Sequence, residues 1–162
     1  MQASKPEVTV NVSFEVLASV YQGSDMDGDF SWMSQQAIHA KTLLIFNDNE
    51  EQFEAFVRGD AAGVFAGGGN AAIRPLRGLL PPRAAGVSTG DRNGGYAALD
   101  IHAKKWIDQS LALIQELLDK GQYERMIISR DPSEATLGTG IFHVNSDVKK
   151  YIFDSLMSMR PR

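Results

Sequence analysis

The stretch VFAGGGNAAIRPLRGLLPPRAAGVSTGDRNGGY, residues 64–96, decides how this 162-residue chain is organised. It holds two groups of glycines, at residues 67–69 and 86–95. Between residues 61 and 90 there is no aspartate or glutamate but there are three arginines, in a protein whose net charge is −4. Glycine lets backbone N–H groups approach an anion closely, and successive N–H groups after a strand favour phosphate. The stretch therefore predicts an anion site, and a nucleotide is the anion we expect.

The composition is that of an ordinary globular protein. Hydrophobic residues make up 43% of the chain and charged residues 22%, so we expect one domain over residues 1–162. The acidic balance argues against duplex nucleic acid as a partner, because that partner needs a broad basic face. The absence of cysteine excludes disulfides, thiolate metal sites and a cysteine nucleophile. No apolar run reaches membrane-spanning length, so we expect a cytoplasmic protein that does not bind membranes.

Five segments have the patterns of strands. Even positions from Val8 to Val16 are apolar and odd ones polar, which predicts a strand with one wet face. The apolar runs at residues 43–46 and 126–128 predict strands buried on both faces. Residues 64–66 and 141–144 predict two further short strands.

Helical patterns alternate with these strands. A helix begins near Glu50, with Asp48 as its expected cap, and the longest helix runs over residues 97–120 and ends at Gly121. A last helix follows Ser146, which is its expected cap. The alternation predicts an α/β fold with a largely parallel or mixed sheet flanked by helices in three layers.

A polar segment with alternating aspartates partly matches the pattern of a calcium-binding loop. Asp25, Asp27 and Asp29 resemble the acidic start of a calcium-binding loop, which needs glycine at its sixth position and glutamate at its twelfth. Here Gly28 is the fourth residue and Gln36 is the twelfth. We therefore expect a solvated loop, no metal site and no resident cofactor.

Three segments resemble the binding loops of macro domains, the α/β modules that hold ADP-ribose. Residues 44–49 are similar to the strand that ends in an asparagine-rich turn. Residues 67–73 are similar to the glycine-rich loop under the diphosphate, and residues 85–90 to the second phosphate loop before a long helix. The resemblance implies a macro-like fold that binds ADP-ribose or a related nucleotide. Another compact nucleotide-binding fold stays open as an alternative.

The expected site combines both glycine groups with nearby polar side chains. Backbone N–H groups would hold phosphate, arginines would supply charge, and asparagines would contact ribose or base. The expected ligand contacts are Asn47, Asn49, Gly67, Gly68, Gly69, Asn70, Arg74, Gly86, Ser88, Thr89, Gly90 and Arg92. The candidate catalytic residues are Asp91 and Asn70, because Arg92 next to Asp91 favours an ionised carboxylate that can act as a base.

Three classes of function remain open. The first is binding of a small nucleotide-type ligand without turnover, and the second is an ADP-ribosyl or ADP-ribose hydrolase that uses the same loops. Within the enzyme class, a serine hydrolase is a further alternative, because Ser88, between Gly86 and Gly90, resembles the serine of a nucleophile elbow. The third class is an oligomeric interaction protein that makes contacts through Phe30, Trp32 and the Pro81-Pro82 segment.

Overall fold

The computed structural model describes residues 13–162 and contains one four-stranded parallel sheet. Its strands are β1 (Glu15–Ser19), β2 (Thr42–Asp48), β3 (Ala84–Ser88) and, last in the chain, β6 (Arg125–Ser129). They lie in the spatial order β1-β6-β2-β3. Two very short strands, β4 (Gly90–Asp91) and β5 (Gly94–Gly95), form an antiparallel hairpin beyond β3. The expected α/β fold with a largely parallel sheet is confirmed.

Four α-helices connect and cover the strands: α1 (Phe30–Met33), α2 (Glu50–Arg58), α3 (Ile101–Asp119) and α4 (Ser146–Met157). Three 3₁₀ helices lie between them, Ala37–His39, Ala61–Val64 and Gly69–Gly78. The helix caps correct two expectations. Asn49, and not Asp48, caps α2 by accepting the N–H of Gln52. Asn145 caps α4, so that Ser146 is the first helical residue.

The core has two parts, one on each face of the sheet. Leu43 and Ile45 of β2 point into a cluster formed with α3 and α4. Leu44 and Phe46 point to the opposite face, where α1 and the Gly69–Gly78 helix pack. Because β2 is buried on both faces, its sequence is a continuous apolar run. The chain thus forms three layers.

Two strand expectations need correction, and a third lies partly outside the described residues. Residue 64 ends the 3₁₀ helix Ala61–Val64, and residues 65 and 66 follow it without forming a strand. Residues 141–144 form no strand either. In the second case residues 141–143 are exposed, with Ile141 97% accessible, and a turn from Thr139 to Phe142 replaces strand pairing, while Val144 is buried in the core. Residues 8–12 of the alternating segment lie outside the described residues, and β1 begins at Glu15.

Two further expectations differ from the structure. Residues 85–90 were expected to form a phosphate loop, but residues 85–88 lie in the buried strand β3. The long helix begins at Ile101 and not at residue 97, because Asp100 caps it by accepting the N–H of Ala103. Phe30, which the interaction-protein alternative places on a contact surface, is fully buried.

The parallel sheet gathers its polar segments at one edge, which we call the carboxyl edge. All four strands end there, at Ser19, Asp48, Ser88 and Ser129. The loop 67–70 lies at the same edge, because the Asn70 side chain is hydrogen bonded to the backbone of Gly28 and Phe30, in the segment that follows β1. The fold therefore places residues 20–29, 49–50, 67–70, 89–96 and 130–145 at this edge.

Candidate functional site

A buried ion cluster lies at the end of β2. The Asp48 carboxylate is fully buried, with Oδ2 2.6 Å from Arg77 Nη1 and Oδ1 3.2 Å from Arg74 Nη2. The side chains of Arg74 and Arg77 are only 6% and 2% exposed. Both guanidinium groups also lie over the Phe46 ring, at 5.5 and 5.3 Å from its centroid. We call Asp48, Arg74 and Arg77 the cation cluster.

The cation cluster has more positive than negative charge. Arginine stays protonated in proteins, so two guanidinium charges face one carboxylate. Burial lowers the pKa of Arg77, while the Asp48 carboxylate acts in the opposite direction. Arg77 also donates to the carbonyls of Gly63 and Gln52. The buried Arg74 Nε has no hydrogen-bond partner within residues 13–162, which leaves a desolvated cationic donor unpaired.

The first glycine group lies directly over Arg74. A Cβ on Gly67 would stand 2.7 Å from Arg74 Nη1, so a larger residue here would displace this guanidinium. A Cβ on Gly68 or Gly69 would meet nothing within 4 Å. Among the described residues, the N–H groups of Gly68, Gly69 and Asn70 have no backbone or side-chain acceptor. We call residues 67–70 the glycine loop, and it is an open row of donors above a buried cation.

The asparagines of the carboxyl edge have three different roles. Asn70 uses its whole amide to hold the glycine loop, accepting from Phe30 N at 2.9 Å and donating to Gly28 O at 3.0 Å. Asn49 caps α2. Asn47 donates to Gly138 O at 2.8 Å, but its Oδ1 is buried without a partner in the described part of the chain. Asn47 therefore has an unpaired acceptor between the carboxyl ends of the neighbouring strands β2 and β6.

The second glycine group does not form one open loop. Gly86 and Ser88 are buried in β3, and a Cβ on Gly86 would stand 2.7 Å from Asp48 Oδ2. Thr89 is tied to β2, since its N–H and its hydroxyl both donate to Asp48 O. Gly90 begins the β4–β5 hairpin and is buried.

The hairpin carries the remaining predicted residues. Asp91 accepts the N–H of Asn93 at 2.8 Å, as a turn residue does. Arg92 is exposed. Of the predicted ligand contacts, the structure therefore leaves Gly68, Gly69 and Arg92 exposed, while Arg74, Gly86 and Ser88 are buried.

Sequence reasoning missed a hydrogen-bonded chain on the other side of β2. Glu50 Oε1 accepts from Tyr96 OH at 2.8 Å and lies 2.5 Å from His102 Nε2. Ser88 Oγ lies 2.9 Å from Tyr96 OH. Burial, with a further contribution from Glu50, raises the pKa of Tyr96 above the ordinary tyrosine value, so its phenol stays protonated. The sequence signal was the position of Glu50 directly after a buried strand, but its partners are distant in the chain.

Two cavities in the described structure lie away from the glycine loop. One, of about 170 Å³, lies between α2, α3 and β3 and has a mainly apolar lining that includes Phe53, Phe56 and Leu117. The other, of about 580 Å³, is a shallow groove beside α4 that is lined by Asp147 and Lys150 among others. Neither of these two cavities is lined by residues 67–70.

Two further properties concern metals and membranes. Within residues 13–162, no three or more histidine, aspartate and glutamate side chains are grouped so as to hold a metal ion. Asp29, from the alternating aspartates, caps α1. None of the helices in the same range is both long and apolar enough to cross a bilayer.

Comparisons with known proteins identify no relative. No family model, curated protein or solved structure matches this chain. The features that bear on function are therefore those of the carboxyl edge itself: a buried excess of positive charge, an open row of N–H donors and an unpaired amide oxygen.

Proposed function

We propose that this protein binds a nucleotide-type phosphate ligand at the carboxyl edge, with a phosphate on the glycine loop. The observation that carries the proposal is the position of Arg74, a buried cation with an unpaired Nε, directly beneath Gly67. Above it, the N–H groups of Gly68, Gly69 and Asn70 are free to donate to an anion.

Electrostatics gives the reason why an anion suits this place. A buried charge that lacks a full counter-charge is costly, and it interacts strongly with a nearby ion because little water screens it. Asp48 supplies one negative charge against the two guanidinium groups. A phosphate on the glycine loop supplies the balance and accepts from several N–H groups at once.

The nucleotide part of the proposal rests on the neighbouring groups. Asn47 Oδ1 is buried without a hydrogen-bond partner among the described residues, and it would accept from a ribose hydroxyl or a base amine once ligand binding exposes it. Arg92, exposed on the hairpin, supplies a positive charge for a second phosphate. The resemblance of the loops to those of macro domains makes ADP-ribose the first ligand to test.

A thermal-shift screen tests the proposal. The purified protein is heated with ADP-ribose, NAD, and linear and cyclic nucleotides, and a ligand that binds only the folded state raises the midpoint. Gly68→Glu places bulk and negative charge where the phosphate would lie, so it should abolish the shift. Ala112→Glu, on the exposed surface of α3, adds the same side chain elsewhere and should keep the shift. If no nucleotide stabilises the wild-type protein, the proposal is wrong.

A further inference from the structure

A carboxylate and an imidazole are paired at the same edge of the sheet. His102 Nε2 lies 2.5 Å from Glu50 Oε1, and the same oxygen accepts from Tyr96 OH at 2.8 Å. The Glu50 side chain is only 16% exposed, whereas His102 is 59% exposed. The carboxylate is therefore held within the structure while the imidazole reaches solvent.

The hydrogen bonds fix where the protons are. Tyr96 has one proton and gives it to Glu50, so the Ser88 hydroxyl donates to the Tyr96 oxygen. A carboxylate can only accept, so His102 Nε2 carries its proton toward Glu50. The other ring nitrogen, Nδ1, has no hydrogen bond within residues 13–162 and is left as a proton acceptor. Ser88 is fully buried and donates its proton to a neutral phenol, so it does not fit the role of a nucleophile.

This pair and the cation cluster lie at the same end of β2. Glu50 follows Asp48 by two residues, so their Cα atoms are at most about 7 Å apart. Asp48 O also accepts from Thr89, the residue after Ser88. The cation cluster and the Glu50–His102 pair therefore flank the end of the same strand, β2. A ligand with two phosphates is long enough to lie across that end.

We infer that the protein hydrolyses the diphosphate of its ligand, with His102 as general base and Glu50 as the residue that positions it. The inference rests on the proposed function, since it needs a nucleotide diphosphate at the carboxyl edge. Its substrate class is a nucleoside diphosphate that carries a further group, such as ADP-ribose.

The proposed hydrolysis balances in atoms and in electrons. Nδ1 of His102 takes a proton from water as the water oxygen forms a bond to one phosphorus. The bridging P–O bond breaks, and its electron pair stays on the leaving phosphate. The imidazolium then returns its proton to solvent. With ADP-ribose the products are AMP and ribose phosphate.

The chemistry of the leaving group favours this bond. A phosphate monoester has a second pKa of about 6, so it leaves as an anion and needs no general acid. A single base is therefore sufficient, and the structure offers one base at this place. The buried arginines and the N–H groups of the glycine loop would stabilise the charge that develops on the phosphoryl oxygens.

The test measures binding and turnover separately. Binding of ADP-ribose is measured by titration calorimetry, and products by mass spectrometry after incubation in ¹⁸O water with Mg²⁺ present. The expected result is AMP and ribose phosphate, with one ¹⁸O in the phosphate of one product. Binding with intact ligand, or ¹⁸O on a sugar carbon, would overturn the inference and leave the proposed function standing. Absence of binding would overturn both.

Three variants assign the roles. His102→Gln should reduce kcat about 10²–10⁴-fold, as loss of a general base does, with Kd unchanged. Glu50→Gln should reduce kcat with Kd unchanged, because glutamine can donate to Nε2 and no longer holds the His102 tautomer whose Nδ1 is the proton acceptor. His39→Gln, at the opposite end of β2, is the control and should retain wild-type kcat. Turnover that persists in His102→Gln would show that another group is the base.

Discussion

Asp48 and Arg77 form a buried ion pair in which Arg77 Nη1 lies 2.6 Å from Asp48 Oδ2, and both side chains are almost completely excluded from solvent. Asp48 ends the central strand β2, and Arg77 comes from the Gly69–Gly78 helix that follows the glycine loop. The pair therefore links the sheet to the Gly69–Gly78 helix, whose first two residues belong to the glycine loop. Because Arg74 contacts the same carboxylate, two guanidinium groups share one negative charge, and a net positive charge remains next to the glycine loop.

Loss of the shared carboxylate should destabilise the fold strongly. Asp48→Asn leaves two buried guanidinium groups without a counter-charge, and breaking a buried pair in this way costs about 3–5 kcal/mol. The free energy of unfolding from urea titration measures the effect. The matched control is Glu54→Gln, which breaks the exposed pair with Arg58 and should cost less than about 1 kcal/mol. Equal effects of the two variants would contradict the account of the cation cluster.

Arg74 should matter more for the ligand than for stability. Arg74→Gln removes the excess positive charge and leaves the Asp48–Arg77 pair in place. We expect ADP-ribose affinity to fall at least about tenfold, equivalent to about 1.4 kcal/mol. Calorimetric titration measures this change, and the unfolding midpoint of the variant without ligand shows whether it is folded. Unchanged affinity in a folded Arg74→Gln protein would mean that the cation does not serve the ligand.

Substitution by alanine should lower the free energy of unfolding at Gly86 but not at Gly68. A Cβ on Gly86 would stand 2.7 Å from Asp48 Oδ2 and 3.0 Å from Arg77 Nη1, inside a packed core. Gly86→Ala should therefore cost about 1–3 kcal/mol. Gly68 has a φ of −80° and open space at its Cβ, so Gly68→Ala should be almost neutral in the same urea titration. A Gly86→Ala variant as stable as Gly68→Ala would contradict the described contact between β2 and β3.

Tyr96 should make the protein sensitive to alkaline pH. Burial keeps its native pKa above the ordinary value of 10.0, so above pH 10 the unfolded chain loses a proton that the folded protein retains. Stability should then fall as pH rises, by at most about 1.4 kcal/mol per pH unit for one group. Tyr96→Phe should make the decline between pH 10 and 11 shallower, as measured by urea titration at each pH. Tyr21→Phe, an exposed tyrosine, is the control, and equal slopes in all three proteins would contradict the buried position of Tyr96.

The sequence predicted those parts of the fold that have a local cause. Residues 43–46 are uniformly apolar because β2 is buried on both faces, so this strand was predictable. Residues 84–88 contain alanine, glycine and serine, which carry little strand signal, and their burial depends on α3. Residues 141–144 have a strand-like composition but no neighbouring strand to pair with among the described residues.

The candidate site was predictable in the same limited sense. The glycine loop was recognisable, because its glycines permit a close backbone approach whatever surrounds them. The roles of Arg74 and Gly86 depend on Asp48, and no local pattern shows that Asp48 faces them. The Glu50–His102 pair joins residues 52 positions apart, so it required the tertiary structure.

The most direct test of phosphate binding at the glycine loop is a titration of the ¹⁵N-labelled protein with ADP-ribose, followed by the backbone amide resonances. We predict saturable shifts of the amides of Gly68, Gly69 and Asn70, because their N–H groups would exchange water for phosphate oxygens. Gly121, at the far end of α3, should not shift. Saturable shifts confined to the cavity between α2, α3 and β3, or no saturable shift at all, would contradict the proposed site.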